Sequence, residues 1–261
     1  MPPSTLVAVV AETVLAQRVI QALPLPSDVQ PLTLGRASDA LLKTACLWVV
    51  QLDRPGGRTR AAEVGRAMRR FPWLPVVAVV DPEHDPTELV ELGALGVRRV
   101  ATWPSGEPPE AWRRNLVDVA YSAVGDVVRR TMNGADPTVA ECLAWSTALA
   151  HKLPEPAHLA EMTGFSPRKL ARHLRRHGGL TAAQTLTLGR VIQALYRLSM
   201  TNQSVERVAL GVGFASGSGL RRALRRTLGR NPSVYRRRGA VVEAMKGLVS
   251  GFDQSGRKDV H

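Results

Sequence analysis

Two segments near the C-terminal end carry basic side chains at spacings that suit contact with a polyanion. The first segment holds Arg168, Lys169, Arg172, Arg175 and Arg176, and the second repeats part of this pattern with Arg222, Arg225 and Arg226. Leu170 and Leu174 lie between the basic residues of the first segment. Because residues i and i+4 share one face of a helix, the pattern predicts a helix with a buried leucine face and basic remaining faces. Arginine pairs with phosphate and with guanine edges, so this chemistry suits a nucleic acid.

The two basic segments belong to a longer internal repeat. Paired motifs of the first copy recur 49 residues later in the second: Leu159-Ala160 as Val208-Ala209, and Gly164-Phe165 as Gly213-Phe214. After one inserted residue the match continues at a spacing of 50 residues, as far as Gly179 and Gly229. In each copy a glycine ends one short helix and a second helix follows. This is the layout of a helix-turn-helix motif, and in the first copy Ser166-Pro167 is a typical start for the second helix.

A long helix is predicted between the two copies, at 181–200. Its length is about 30 Å at 1.5 Å per residue. One turn of duplex DNA is ~34 Å, so a stiff spacer of this size could place the two basic helices in successive major grooves.

Residues 157–238 resemble the AraC-type DNA-binding domain. The resemblance rests on the repeat, on Ser204-Val205, and on the closing stretch Gly229-Arg230-Asn231-Pro232-Ser233-Val234-Tyr235-Arg236. It implies an all-α domain with two helix-turn-helix motifs joined by a long helix. By the same resemblance the base-reading positions are Arg168, Lys169 and Arg172 in the first motif, and Ser218, Arg221 and Arg222 in the second.

The chain departs from this family pattern at four positions. Leu174 and Leu224 stand where phenylalanine is usual, a change that we expect only to repack the core. Gly217 and Gly219 stand where larger residues are usual. Each glycine weakens a helix by roughly 1 kcal/mol relative to alanine and offers no side chain to a base. We therefore expect the second motif to be less selective than the first.

The charge of the chain is concentrated in the same region. The formal net charge is +13. Residues 1–138 hold 15 basic and 15 acidic residues, whereas residues 139–261 hold 20 basic and 7 acidic residues. A neutral module followed by a basic one indicates that only the second module meets phosphate.

The first half of the chain alternates apolar runs with amphipathic stretches. Strands are predicted at 6–10, 29–34, 47–51, 75–80 and 97–101, and helices at 12–23, 60–70, 87–95 and 109–129. This alternation predicts a doubly wound, five-stranded parallel sheet covered by helices on both faces. Over residues 5–125 the order of elements resembles the receiver domain of two-component response regulators. The resemblance places Asp53, at the end of the third strand, at the phosphoacceptor position.

Most of the groups that handle a phosphoryl group are missing from this segment. A receiver holds Mg²⁺ with acidic residues after its first strand, and Glu12 is the only acidic residue there. Asp81 stands where a hydroxyl residue is expected, and Trp103 stands where a lysine is expected. We therefore predict a degenerate receiver that is not phosphorylated, in which Asp53 is an ordinary turn residue. The alternative is a response regulator that is phosphorylated at Asp53.

Other chemistry has little support in the sequence. His151, His158, His173 and His177 are close in sequence, and His173 and His177 share a helix face, but no cysteine or acidic partner stands at ligand spacing. We therefore predict no metal site, no cofactor and no catalytic residue, since nucleophile elbows, phosphate loops and dinucleotide fingerprints are also missing. Cys46 and Cys142 are far apart in apolar surroundings, which argues against a disulfide scaffold.

The sequence thus predicts a multidomain chain, α/β followed by all-α. The predicted parts are a receiver-like domain at 1–130, a linker at 131–138, a DNA-binding domain at 139–239 and a tail at 240–261. The predicted function is a cytoplasmic, non-enzymatic transcription regulator that binds specific sequences of double-stranded DNA, without a membrane association. The N-terminal domain is expected to serve dimerisation, giving a homodimer, or to sense a signal without phosphorylation, and RNA polymerase is a possible further partner. Two further alternatives stay open, a nucleoid-type architectural protein and a DNA-modifying enzyme that docks through these motifs.

Overall fold

The N-terminal part of the protein is built on a parallel β-sheet. The computed structural model describes residues 7–11, 13–22, 31–33, 42–52, 61–80, 86–102, 109–152, 155–237 and 239–255. The strands are β1 (Val7–Ala11), β2 (Pro31–Thr33), β3 (Leu47–Gln51), β4 (Val76–Val80) and β5 (Val100–Thr102), in the order β2-β1-β3-β4-β5. All five residues of β4 are buried, as expected for a strand that is covered on both faces.

Helices lie on both faces of this sheet. They are α1 (Thr13–Ala22), α2 (Ala61–Arg70), α3 (Pro86–Ala94) and α4 (Pro109–Thr131). Val77 and Val79 pack in one core with residues of α1 and α4, whereas Val76 and Ala78 pack in a second core with residues of α2 and α3. Since alternate residues of a strand point to opposite faces, the valine-rich strands supply both cores at once. The predicted parallel sheet between two helical layers is therefore present.

The C-terminal part consists of helices. They are α5 (Pro137–Ala148), α6 (Pro156–Thr163), α7 (Pro167–Gly178), α8 (Ala182–Met200), α9 (Val205–Gly211), α10 (Gly217–Leu228), a 3-10 helix (Pro232–Arg236) and α11 (Ala240–Ser255). The predicted long helix is α8, which begins with a capping box between Thr181 and Gln184. Every residue of α8 from 191 to 200 is buried, so this helix is the centre of the domain.

The segment 240–261, expected as a tail, contains the helix α11. Val241 and Met245 are four residues apart and are only 3% and 2% exposed. This apolar face packs against α8 and the 3-10 helix. The polar part of the segment begins only after Gly251. The first two turns of α11 bury an apolar face, and this packing explains why a helix forms there.

The predicted linker at 131–138 is the end of α4, a short turn and the start of α5. Met132, in the turn, is buried, and α5 packs against both α4 and α8. One continuous apolar core therefore runs from the sheet through α4 and α5 to α8. The two parts of the chain are joined by packing as well as by the backbone.

Polar contacts reinforce this junction. The hydroxyl of Tyr196, in α8, donates a hydrogen bond of 2.6 Å to the carbonyl of Trp73, which precedes β4. The guanidinium of Arg197 lies 3.9 Å from the ring centre of Tyr121 in α4. The thiol of Cys46 contacts the carbonyl of Ser199, and burial raises the pKa of this thiol to about 12. Helix α8 is thus attached to the N-terminal part along its last two turns.

Candidate nucleic-acid interface

The first candidate motif consists of α6 and α7, joined by a tight turn. Gly164 ends α6 with φ +67°, a left-handed conformation that glycine adopts without a Cβ clash. Ser166 then caps α7, because its hydroxyl accepts a hydrogen bond from the backbone of Lys169, and Pro167 occupies the first helical position. Leu170 and Leu174 are 1% and 0% exposed, which fixes the rotation of α7 against the core.

The second candidate motif, α9 and α10, repeats this construction. Gly213, with φ +83°, lies in the turn between the helices. Ser216 caps α10 by accepting a hydrogen bond from the backbone of Gly219. Leu220 and Leu224 are fully buried. The internal repeat in the sequence is therefore a repeat of helix pairs in the structure.

All ten residues that the sequence singled out are exposed on these two helices. They are Arg168, Lys169, Arg172, Arg175 and Arg176 on α7, and Ser218, Arg221, Arg222, Arg225 and Arg226 on α10. Neither helix contains an acidic residue. Within the described ranges none of the ten forms an ion pair, so their charges are available to an external anion.

Three of the ten residues are held by neighbouring groups. The ammonium of Lys169 lies 4.4 Å from the ring centre of Phe165, a cation–π contact. The guanidinium of Arg225 donates a 2.8 Å hydrogen bond to the side chain of Asn231. The hydroxyl of Ser218 is 2.8 Å from that of Ser216. These contacts orient the three side chains, whereas Arg168 and Arg172 have no such restraint among the contacts described.

The two unusual glycines of the second motif have different surroundings. A Cβ on Gly217 would lie 2.6 Å from a carboxylate oxygen of Glu206 and 3.3 Å from the Glu206 backbone. The backbone N–H of Gly217 donates a 2.8 Å hydrogen bond to that same carboxylate. A Cβ on Gly219 would meet nothing closer than 3.7 Å. Gly217 therefore permits the close approach of α9, while Gly219 leaves the exposed start of α10 without a side chain.

Sequence reasoning missed several residues that position this interface. Glu206 holds the start of α10, as described above. Arg236 donates hydrogen bonds to the carbonyls of Thr201 and Gln203, which ties the 3-10 helix to the loop between α8 and α9. Asp136 lies 2.8 Å from the Nε2 atom of His173, so an acidic partner does stand beside the histidines of α7. The closing sequence stretch marked Arg236, but the partners of all three residues are distant in sequence.

Four residues bear on the predicted absence of phosphoryl transfer. Asp53, Glu12, Asp81 and Trp103 lie outside the described residues. No helix among the described ranges is both long and apolar enough to cross a bilayer.

Comparison with known proteins agrees with the geometry of the C-terminal part. Residues 159–238, under a third of the chain, match the model of the family described as "Helix-turn-helix domain". No curated protein matches the chain. Two exposed basic helices, each with a capped start after a turn, are the arrangement of helix-turn-helix motifs. The C-terminal region therefore contains a helix-turn-helix domain, which agrees with the resemblance to the AraC type and supports DNA binding by this region.

Solved structures give weaker likenesses. The C-terminal domain of AraT, a response regulator from Geobacillus stearothermophilus, is 22% identical over 39% of this chain and 85% of that chain, with a TM-score of 0.34. The xylose-binding transcription activator XylR is 12% identical over 89% of this chain and 70% of its own, with a TM-score of 0.38. RcsB from Salmonella enterica serovar Typhimurium, bound to the promoter rprA in the presence of phosphomimetic BeF3-, is 13% identical over 70% and 97%, with a TM-score of 0.33. At these TM-scores the likenesses establish neither fold nor function.

Proposed function

We propose that the protein recognises a specific duplex sequence by inserting α7 and α10 into successive major grooves. The observation that carries this proposal is a pair of capped helices without acidic residues. Together they expose eight arginines, Lys169 and Ser218 to solvent, while Leu170, Leu174, Leu220 and Leu224 are buried. Basic helices of this kind contact phosphate with their long side chains and read bases with residues near the helix start. The protein would act on chromosomal DNA in the cytoplasm.

The spacer α8 supports simultaneous contact by both motifs. It has 19 residues, hence a length of about 28 Å. Its last ten residues are buried among α4, α5 and the two motifs, so α8 is held as a rigid rod. A rod of this length is comparable to the ~34 Å between equivalent grooves on one side of the duplex.

The two motifs would contribute unequally to specificity. In α7, Arg168 and Arg172 are exposed long side chains near the start of the helix. In α10, Gly219 lies at the corresponding part of the helix and offers no group to a base edge, while Gly217 is buried against Glu206. We therefore expect that base changes in the DNA under α7 lower the binding affinity strongly, and that base changes under α10, one turn of the duplex away, lower it only slightly.

Replacing Arg172 by alanine tests base reading. The preferred site is first selected from a random duplex library, and affinities are then measured for that site and for unrelated DNA. If Arg172 reads a guanine edge, Arg172→Ala should weaken specific binding by about 1–3 kcal/mol, roughly 5- to 150-fold in Kd. Binding to unrelated DNA should change much less.

The matched control for this experiment is Arg207→Ala. Arg207 is exposed on α9, outside both basic helices, so its removal changes the charge equally without touching the proposed reading surface. Equal losses on both DNAs for Arg172→Ala would show a phosphate contact only. A wild-type protein that bound all duplexes alike would instead be the architectural alternative.

The N-terminal part would hold two chains together without phosphorylation. It carries balanced charge, and most phosphoryl-handling residue types are missing from its sequence. Dimerisation would raise DNA affinity because the second chain binds at a high effective concentration. RNA polymerase is a further partner to test once a promoter is known.

Acetyl phosphate with Mg²⁺ should leave Asp53 unmodified, and Asp53→Ala should bind DNA as the wild type does. Mass spectrometry of the intact chain checks the first point, and sedimentation of the full chain checks the dimer. The full chain is required because α4 shares a core with α5 and α8. A phosphorylated Asp53 with altered DNA affinity would establish the response-regulator alternative, and a monomer at high concentration would overturn the dimer.

A further inference from the structure

We propose that Asp136, His173 and His177 form a binding site for a divalent transition metal, with Zn²⁺ as the best match. The side chains come from two elements: Asp136 precedes α5, and the two histidines lie on α7. Their possible ligand atoms all lie within 4.8 Å of one another. Two imidazoles and a carboxylate are a donor set that zinc accepts readily, with a fourth position left for water.

The geometry of the trio is close to that of a chelating site. His173 and His177 are one helical turn apart, and their ring centres are 4.5 Å from each other. The Nε2 atom of His173 is 2.8 Å from the Oδ1 atom of Asp136. Small side-chain rotations would bring three donor atoms to about 2.0–2.2 Å from one ion. Metal binding would replace the His173–Asp136 hydrogen bond with bonds from both side chains to the ion.

The surrounding structure holds these side chains in place. The Oδ1 atom of Asp136 accepts a 3.1 Å hydrogen bond from the backbone of Val139, so the carboxylate is fixed as the cap of α5. The ring of Phe165 packs edge-on against His173, with 5.6 Å between the ring centres. A Cβ on Gly178 would lie only 2.8 Å from Val139, which shows how closely α7 approaches α5. Such orienting contacts characterise metal sites whose ligands are arranged before the ion binds.

The site remains open to solvent. The side chains of His173 and Asp136 are 24% and 21% exposed, and His177 is exposed. An ion can therefore enter without unfolding the domain. The alternative is that Asp136 only caps α5 and forms a hydrogen bond with His173, while the side chain of His177 is solvated.

A bound ion would connect α7 to the start of α5 and thereby to the N-terminal part of the chain. The exposed faces of α7 carry Arg172, Arg175 and Arg176 directly beside the two histidines. Pinning one face of α7 would restrict the other faces that meet DNA. This consequence rests on the proposed function, whereas metal binding itself does not.

Titration of the untagged, metal-free full chain with ZnCl₂ in a calorimeter tests the proposal. We expect one Zn²⁺ per chain. His177→Ala should weaken Zn²⁺ binding at least tenfold, because it removes one ligand and leaves the His173–Asp136 hydrogen bond intact. The matched control His151→Ala, at an exposed position after α5, should bind Zn²⁺ as the wild type does.

Cobalt substitution gives a second readout that does not depend on DNA. Co²⁺ in a tetrahedral site with nitrogen and oxygen ligands absorbs visible light, and this absorption should vanish in His177→Ala. Wild-type protein that takes up no stoichiometric metal, or His177→Ala protein that binds Zn²⁺ as tightly as the wild type, would overturn the proposal. If Zn²⁺ binds but leaves DNA affinity unchanged, the site stands and only its link to DNA binding is wrong.

Discussion

Gly189→Ala should lower the free energy of unfolding by about 2–3 kcal/mol, the range expected for overpacking a tight core. A Cβ on Gly189, in α8, would lie 2.5 Å from both the carbonyl carbon and the Cβ of Ser146, and 2.8 Å from the Ser146 carbonyl oxygen. Two of these three are backbone atoms of α5, which cannot move aside without shifting the helix. The clash therefore outweighs the roughly 1 kcal/mol that alanine normally contributes to a helix interior.

The matched control for this prediction is Gly247→Ala in α11. Gly247 is exposed, and a Cβ there would meet nothing within 4 Å. This variant should gain up to about 1 kcal/mol, the ordinary difference between the two residues in a helix. Urea unfolding followed by circular dichroism measures both variants. Equal stabilisation in the two variants would mean that α5 and α8 do not approach each other as closely as the structure has them.

The same comparison shows what the sequence could and could not predict. Features that depend on neighbours in the chain were predictable. The Leu170 and Leu174 face follows from helix periodicity, the Ser166 cap from its position before Pro167, and β4 from a continuous apolar run. For Gly189, by contrast, the sequence alone indicates only that a glycine weakens the predicted helix. Its reason is the approach of α5, which lies more than 40 residues earlier in the chain.

Contacts between distant segments account for the other differences. The absence of an acidic partner near His173 was inferred from spacing along the chain, but Asp136 reaches it from 37 residues away. From the sequence, Gly217 is expected to weaken the helix and to offer no side chain to a base, whereas the structure shows that it also admits Glu206. Within the segment 240–261, the helix α11 is explained by the apolar spacing of Val241 and Met245, both of which are buried.

The junction between the two parts of the protein depends on charge as well as on packing. Arg129, in α4, forms a 2.8 Å ion pair with Asp126 of its own helix and a second one with Glu141 of α5. The side chain of Asp126 is 4% exposed, and that of Arg129 is 13% exposed. Burial raises the pKa of Asp126, and the attraction of Arg129, Arg99 and Arg130 opposes that rise. Arg129 therefore balances the negative charge of Asp126, whose carboxylate is almost inaccessible to water.

Arg129→Ala should lower the free energy of unfolding by about 3 kcal/mol near neutral pH, the lower end of the range for breaking a buried pair. The lower end of the range applies because Glu141, whose side chain is 33% exposed, can be solvated once Arg129 is removed. Loss of Arg129 raises the pKa of Asp126 further, so the folded variant binds a proton more tightly than the unfolded chain does. Stability then rises as the pH falls through that raised pKa, and the deficit relative to the wild type should shrink in acid.

The double variant Asp126→Asn/Arg129→Ala separates the buried charge from the lost packing. Asparagine keeps the shape of aspartate but carries no charge, so the double variant should be more stable than Arg129→Ala alone at neutral pH, and its deficit should change little with pH. Urea unfolding at several pH values measures the wild type, the single variants Asp126→Asn and Arg129→Ala, and the double variant. If the two losses simply add, the buried carboxylate of Asp126 is not what Arg129 stabilises, and the contribution of Arg129 must come from its contact with Glu141 between α4 and α5.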